Sequence, residues 1–198
     1  MKKVVLLLCL IALFLSGCAT MDMRKISVDP RITTEHLKKS SLKAGLLLDD
    51  KFTNFKYTFK TGNQLFLMAS VKGEIDVGKS LSQALYGIVS SKFGNVAIAQ
   101  DAREIQDVSV YFVPRIKYFN YSPPFTGLSS HTADAELETE IFAGNGQRLR
   151  SFIVKGKGSR NMINQLIMET NYEMAHYAVN EAIDNLLKEF SRKLDEFY

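Results

Sequence analysis

Residues 133–158 read ADAELETEIFAGNGQRLRSFIVKGKG. Two runs of alternating polarity flank Asn145-Gly146, a dipeptide suited to a tight hairpin because a type I′ turn needs positive φ at both central residues. A turn centred there pairs residues whose numbers sum to 291, so Leu137 faces Val154 and Thr139 faces Phe152 on an inner surface. On the outer surface Asp134 faces Lys157 and Glu136 faces Lys155. Each exposed pair contributes about 0.2–1 kcal/mol. A slip of one residue would turn the carboxylates inward, so burial and charge agree on one register.

Further elements extend outward from this hairpin. Phe55, Tyr57 and Phe59 alternate with Lys56, Thr58 and Lys60, the period of a half-buried strand. Thr61-Gly62-Asn63 reads as a turn, and Leu65 to Val71 as a second strand. Ser80 and Gln83 have capping-box spacing, followed by Leu81, Ala84, Leu85, Ile88 and Val89 on one helical face. Gly94 stands where such a helix stops in a left-handed conformation. Asn95 to Ala99 then reads as a short strand. Val108, Val110 and Phe112 begin another strand that continues past Pro114 through Ile116 and Tyr118; a proline cannot donate to a ladder, so an edge or a bulge is expected there. Residues 119–130 read as an irregular aromatic loop. Thr170 and Glu173 offer a second capping box, and Met174, Ala175, Ala178, Val179, Ala182, Ile183, Leu186, Leu187, Phe190 and Leu194 form one apolar stripe. The expected class is α+β, a mostly antiparallel sheet with two amphipathic helices packed on one face.

The N-terminus carries a different message. Met1-Lys2-Lys3 precedes the apolar run VVLLLCLIALFL, then Ser16-Gly17-Cys18. A basic head, an apolar run and small residues make a secretory signal peptide. The run is about a dozen residues, against the roughly 20 that span a bilayer. With its cysteine, Leu15-Ser16-Gly17-Cys18 resembles the lipobox of bacterial lipoproteins. The resemblance implies cleavage after residue 17, lipidation of Cys18 and stable anchoring by several acyl chains. In the lipoproteins this stretch resembles, an aspartate after the cysteine favours inner-membrane retention, so the resemblance, with Ala19 there, implies the outer membrane. Residues 1–17 are therefore expected to be removed, 18–45 to be a lipidated tether, and 46–198 to be a single periplasmic domain. Within the tether, Lys38, Lys39 and Lys43 would meet anionic head groups or simply solvent.

The 181 residues left after processing suffice for one domain with its own core. Loss of Lys2 and Lys3 lowers the formal charge from +4 to +2, which gives no argument for nucleic-acid binding. Cys9 departs with the signal and Cys18 carries lipid, leaving no thiol for a disulfide or a metal. The element order, the lipobox and the stretches DVSVYFVPRIKYF and 133–158 together resemble small Gram-negative envelope lipoproteins. These include the lipopolysaccharide-assembly lipoprotein, the lipoprotein activators of penicillin-binding proteins, and YajG-like lipoproteins. No functional residue carries over from them.

Chemistry-bearing motifs are few. Gly73, Gly78, Lys79 and Ser80 fit the phosphate-loop pattern, but Glu74 and Asp76 would place two carboxylates beside a polyanion. No nucleotide or other cofactor is expected. His36, His131 and His176 lack mutual metal-ligand spacing. Asp134, Glu136, Glu138 and Glu140 lie on one strand face, whereas glycosidase chemistry sets two carboxyls across a cleft. The expected role is non-enzymatic: a binding, scaffolding or assembly subunit of an envelope complex, with a protein partner besides the membrane. The open sheet face with Phe142, Leu149 and Ile153, and the aromatic loop with Tyr118, Phe119, Tyr121 and Phe125, are the candidate partner surfaces, Tyr121 and Phe125 being the loop's contact residues; the alternative for the loop is that its aromatics tuck back onto the core. The alternative is a carrier of lipid or lipopolysaccharide, with the Met162–Met168 segment lining an apolar cavity.

Overall fold

A computed structural model describes residues 21–22, 25–31, 40–60, 71–124, 130–161 and 171–197. The strands are β1 (Met21–Asp22), β2 (Ser40–Leu47), β3 (Lys56–Lys60), β4 (Val71–Asp76), β5 (Phe93–Ala99), β6 (Val110–Ser122), β7 (His131–Ala143) and β8 (Arg148–Arg160). The helices are α1 (Asp50–Thr53), α2 (Gly78–Lys92) and α3 (Asn171–Asp195), and a 3-10 turn covers Ala102–Glu104.

The class is α+β, but the main sheet is mixed. Its order is β5-β2-β6-β7-β8, and β2 runs parallel to both β5 and β6, while β6, β7 and β8 are antiparallel. Parallel partners require a crossover, which α2 supplies between β2 and β5. Alternation along a strand reports burial, not the direction of its neighbour, so the sequence pattern does not reveal this. A second sheet, β1-β4-β3, joins a parallel and an antiparallel pair.

The β7–β8 hairpin keeps the expected pairs, with Leu137 opposite Val154, Thr139 opposite Phe152, Asp134 opposite Lys157 and Glu136 opposite Lys155. Its turn differs. The Ala143 N–H donates to the Gln147 carbonyl at 2.8 Å and the Gly146 N–H to the Ala143 carbonyl at 2.9 Å. Gly146 alone in the loop has positive φ, at 87°. This is a three-residue loop closed by a left-handed glycine, not a type I′ turn. It offsets the register by one residue, and the irregularity between Ile141 and Phe142, opposite Leu149, restores it.

A second bulge decides which aromatics are buried. Pairing of β6 with β7 shifts between Ile116 and Tyr118. Val110 and Phe112 face the core before the shift; after it Phe119 and Tyr121 do, and Tyr118 turns outward. Pro114 lies beyond the last β2–β6 pair, Leu46–Phe112, where β6 has become an edge.

The helices differ from expectation at their ends. α2 begins at Gly78 behind Val77, with no side-chain cap, so Ser80 and Gln83 form no capping box. It runs directly into β5, whose Phe93 is extended and buried against Phe112 at 5.5 Å. Gly94 is therefore a strand residue and stops nothing. β4 starts at Val71, where the expected second strand ends; Leu65 to Ser70 and Thr170 lie outside the described residues.

α3 lies against β7 and β8 and buries Ala178, Val179, Ala182, Ile183, Leu186, Leu187 and Phe190. The inward positions Gly156 and Gly158 of β8 let it approach at backbone distance. A Cβ on Gly156 would lie 1.9 Å from the Ala182 carbonyl oxygen, and one on Gly158 2.0 Å from that of Ala178. α2 packs on β5 and β2, and the Lys92 ammonium pairs with Asp195 at the far end of α3.

The folded region reaches N-terminal of residue 46. Ile26 and Val28 are buried at 0% and 3% exposure, and the Ile26 N–H donates to the Glu74 carbonyl of β4 at 3.1 Å. Residues 25–31 run along α3 as a strap. The Tyr172 hydroxyl donates to the Lys25 carbonyl at 3.0 Å, and His176 Nδ1 lies 3.0 Å from the Ser27 carbonyl. Asn180 Oδ1 accepts from the Asp29 N–H at 2.7 Å, and Asp184 Oδ1 from the Arg31 N–H at 2.8 Å. The expected tether from 18 to 45 thus contains packed structure.

Candidate functional site

The face of the main sheet turned away from α3 is built by the outward positions of β6, β7 and β8. Asp134, Glu136, Glu138 and Glu140 form a central row on β7, with bases from both neighbours around it. Arg115 and Arg148 flank Glu140 at 3.2 and 3.1 Å. Lys117 pairs with Glu138 at 3.2 Å, Lys155 with Glu136 at 2.9 Å, and Lys157 with Asp134 at 3.7 Å. The row is thus a neutralised lattice of alternating sign rather than an acidic cluster. Each exposed pair adds only about 0–1 kcal/mol to stability, so the lattice matters more as a charge pattern than as a brace.

Apolar groups interrupt this lattice. Tyr111 and Phe142 are opposite in register and stack at 5.0 Å with an interplanar angle of 10°. Beside them Leu149 stands 49% exposed at the bulge; Ile153 is equally exposed, and Tyr118 is 52% exposed. Toward β2 the face is partly covered, because Ile105 sits over Gly45, its Cγ2 3.1 Å from where a Cβ would be. The adjoining turn is stiffened by Asp101, whose carboxyl the Arg103 guanidinium holds down at a pKa of about 2.

The candidate partner residues fall into three groups. Phe142, Leu149 and Ile153 share the open face. Tyr121 does not: it is 2% exposed, its ring packs on Phe59 at 4.7 Å, and its hydroxyl lies 2.7 Å from His131 Nδ1. The bulge before Tyr118 turns it inward, and burial pushes its phenol well above the ordinary range. Phe125 lies outside the described residues, as do Cys18 and the Met162–Met168 segment. Phe119 is also buried. Tyr118, expected in the aromatic loop, belongs to this face instead, and Tyr111 joins it without having been singled out; Tyr111 alternates with the inward Val110 and Phe112, a usable signal once Phe142 is known to be its partner.

The phosphate-loop pattern is spent on packing. Gly73 is a β4 residue beneath the Phe59 ring, whose Cζ would be 2.4 Å from a Cβ. The Gly78 N–H, which a phosphate loop would offer to an anion, donates to the Phe55 carbonyl at 2.9 Å. Among the described residues no group of His, Cys, Asp and Glu is placed to hold a metal ion. Open clefts among the described residues include two that lie elsewhere. One, of about 330 Å³, sits between α1 and the β6 edge at Pro114–Ile116; the other, of about 390 Å³, lies between β7, β8 and Glu181. At Gly156 and Gly158 the backbones of β8 and α3 touch, which leaves no room for an acyl chain between them. Among the described residues no helix is long and apolar enough to cross a membrane.

No family model matches the chain, and no curated protein matches it. Solved structures do. A Xanthomonas campestris protein of the family model DUF330 is 12% identical over 88% of this chain and 99% of its own, with a TM-score of 0.47. A minor lipoprotein from Acinetobacter baumannii is 13% identical over 81% of this chain and 95% of its own, with a TM-score of 0.45. A hypothetical protein from Chlamydia trachomatis is 9% identical over 80% and 98%, with a TM-score of 0.48. Likenesses at this level assign neither an activity nor a partner to this chain.

Proposed function

We propose that this chain is a lipoprotein held by Cys18 at the periplasmic face of the outer membrane, and that it binds a protein partner through the open face of its main sheet. The observation that carries the binding reading is the stacked Tyr111–Phe142 pair with Leu149 and Ile153 exposed inside a lattice of paired, alternating charges. Exposed apolar residues gathered on one face and rimmed by polar ones are the usual mark of a protein interface. Alternating charges around them favour a partner with the complementary alternation and repel one without it. The chain then acts by holding and orienting its partner, and the reading asks for no catalytic group.

Photo-crosslinking amino acids placed at Phe142, Leu149, Ile153 and Tyr118 in cells test this. The same protein captured from all four positions, and lost on Ile153→Arg, supports the reading. Absence of any captured protein while the variants remain folded and anchored overturns it. The anchor is tested separately by the mass of the mature N-terminus, which carries acyl chains in the native chain and none in Cys18→Ala.

A further inference from the structure

We propose that the end of the fold bearing Lys60, Lys72 and Arg160 faces the bilayer, with anionic lipid head groups as its partner. The inference rests on the reading of Cys18 as the lipidated residue. Met21 is already paired with Val71 of β4, and three residues of fully extended chain reach at most about 11 Å. The next fixed point is Ile26, buried and bonded to β4, which a chain from Cys18 reaches within about 29 Å. The leash cannot lengthen without pulling the strap from Tyr172, His176, Asn180 and Asp184. A lipid on Cys18 therefore brings the start of β4 to the membrane surface, rather than leaving the domain to roam on a tether running to residue 45.

The topology decides what else arrives there. Lys60 and Lys72 are direct partners across β3 and β4, a like-charge pairing that is unfavourable unless an anion stands opposite. Lys25 is 74% exposed beside them, sharing Glu74 with Lys56. β3 runs alongside the end of β6, with Tyr57 against Phe119 and Phe59 against Tyr121, so Ser122 reaches the same end. His131 and Arg160 pair at the matching end of β7 and β8, and Arg160 lies over the Tyr177 ring at 5.0 Å. Among the described residues the carboxylates near this end include Glu74, Glu173 and Glu181, the last accepting from the Ser159 N–H at 2.8 Å, one residue from Arg160. The hairpin tip at Asn145 is at the opposite end of β7, whose 13 residues span roughly 40 Å at strand rise.

The test uses the purified, acylated full-length chain in vesicles of phosphatidylethanolamine and phosphatidylglycerol with a head-group quencher. A dye is attached to Ser122→Cys or to Asn145→Cys. The expected result is quenching several-fold stronger from position 122 than from 145. Equal quenching, or stronger quenching at 145, on a chain whose mass shows acylation overturns the orientation while sparing the anchor. A chain without acyl mass removes the anchor reading, and the orientation falls with it. Lys60→Glu with Lys72→Glu is expected to weaken quenching at 122 in these vesicles and to leave it unchanged in phosphatidylcholine; no change in either overturns the head-group contact.

Discussion

Gly156→Ala is expected to be among the most damaging single-methyl additions in this protein. The new Cβ would stand 1.9 Å from the Ala182 carbonyl oxygen, 2.6 Å from the Leu186 nitrogen and 2.8 Å from the Leu186 Cβ. Ordinary contact begins near 3.4 Å, so α3 must retreat by roughly 1.5 Å, and a gap of 0.5–1 Å already forfeits a quarter to a half of the dispersion attraction across it. The atoms in the way are mostly backbone, which cannot swing aside as a side chain does. The cost should therefore lie at the upper end of the overpacking range, about 3 kcal/mol. Against a typical total of about 5–15 kcal/mol this is a large fraction, and it corresponds to a fall of roughly 6–12 °C in Tm for a domain of this size. Urea unfolding reads it as a lowered midpoint with an unchanged slope. Gly158→Ala should act similarly, and the double variant should cost less than the sum, because one displacement of α3 relieves both clashes. Gly94→Ala is the control: its nearest neighbour would be the Ser40 carbonyl at 3.6 Å, so no more than about 1 kcal/mol of stabilisation is expected. A Gly156→Ala variant within 0.5 kcal/mol of the native chain would refute the close approach of α3 to β8.

Three further outcomes follow. Thr139 is fully buried, and among the described residues its hydroxyl has no hydrogen-bond partner, so Thr139→Val should stabilise by about 1 kcal/mol in the same urea assay. Burial raises the Tyr121 phenol, so above about pH 10 the unfolded chain loses a proton that the folded chain keeps, and stability falls with rising pH by up to about 1.4 kcal/mol per unit. Tyr121→Phe should flatten that alkaline slope in thermal melts between about pH 10 and 12 while costing about 1 kcal/mol at neutral pH. Asn180→Ala removes the acceptor of the Asp29 N–H and should cost about 1 kcal/mol, with hydrogen exchange accelerated at residues 27–31 more than in β7.

The β7–β8 register was legible because inner apolar pairs and outer ion pairs point to the same pairing, and either alone would have left room for a slip. The turn was not legible, since Asn-Gly suits both a two-residue loop and a three-residue loop ending in a left-handed glycine. Two compensating offsets, at Gly146 and Leu149, hid the difference. Regular alternation fades after Tyr118, so residues 119–130 read as an irregular loop; the strand instead continues to Ser122, and the bulge between Ile116 and Tyr118, displaced from the Pro114 that hinted at it, sets Phe119 and Tyr121 on the core face. Parallel pairing of β2 was equally hidden, because burial patterns carry no direction. Phe142, Leu149 and Ile153 were placed on the outer face by alternation alone. The strap escaped notice because Ile26 and Val28 are too short an alternation to stand out, and its holding groups lie about 150 residues later on α3.

Two unlike rulers meet where that strap lies on α3. Four helical residues rise about 6.0 Å, whereas two extended residues cover about 6.6–6.8 Å. From Tyr172 to Asp184 the helix advances about 18 Å, while Lys25 to Arg31 would advance about 20 Å if straight. The rungs therefore drift like the marks of a vernier, and a few steps are about as many as such an arrangement tolerates before it falls out of phase. Deleting one residue between Lys25 and Arg31 would swap Ile26 and Val28 with their polar neighbours, and inserting one between Tyr172 and Asp184 would swing later rungs by about 100°. Length changes in either segment should thus be far less tolerated than substitutions.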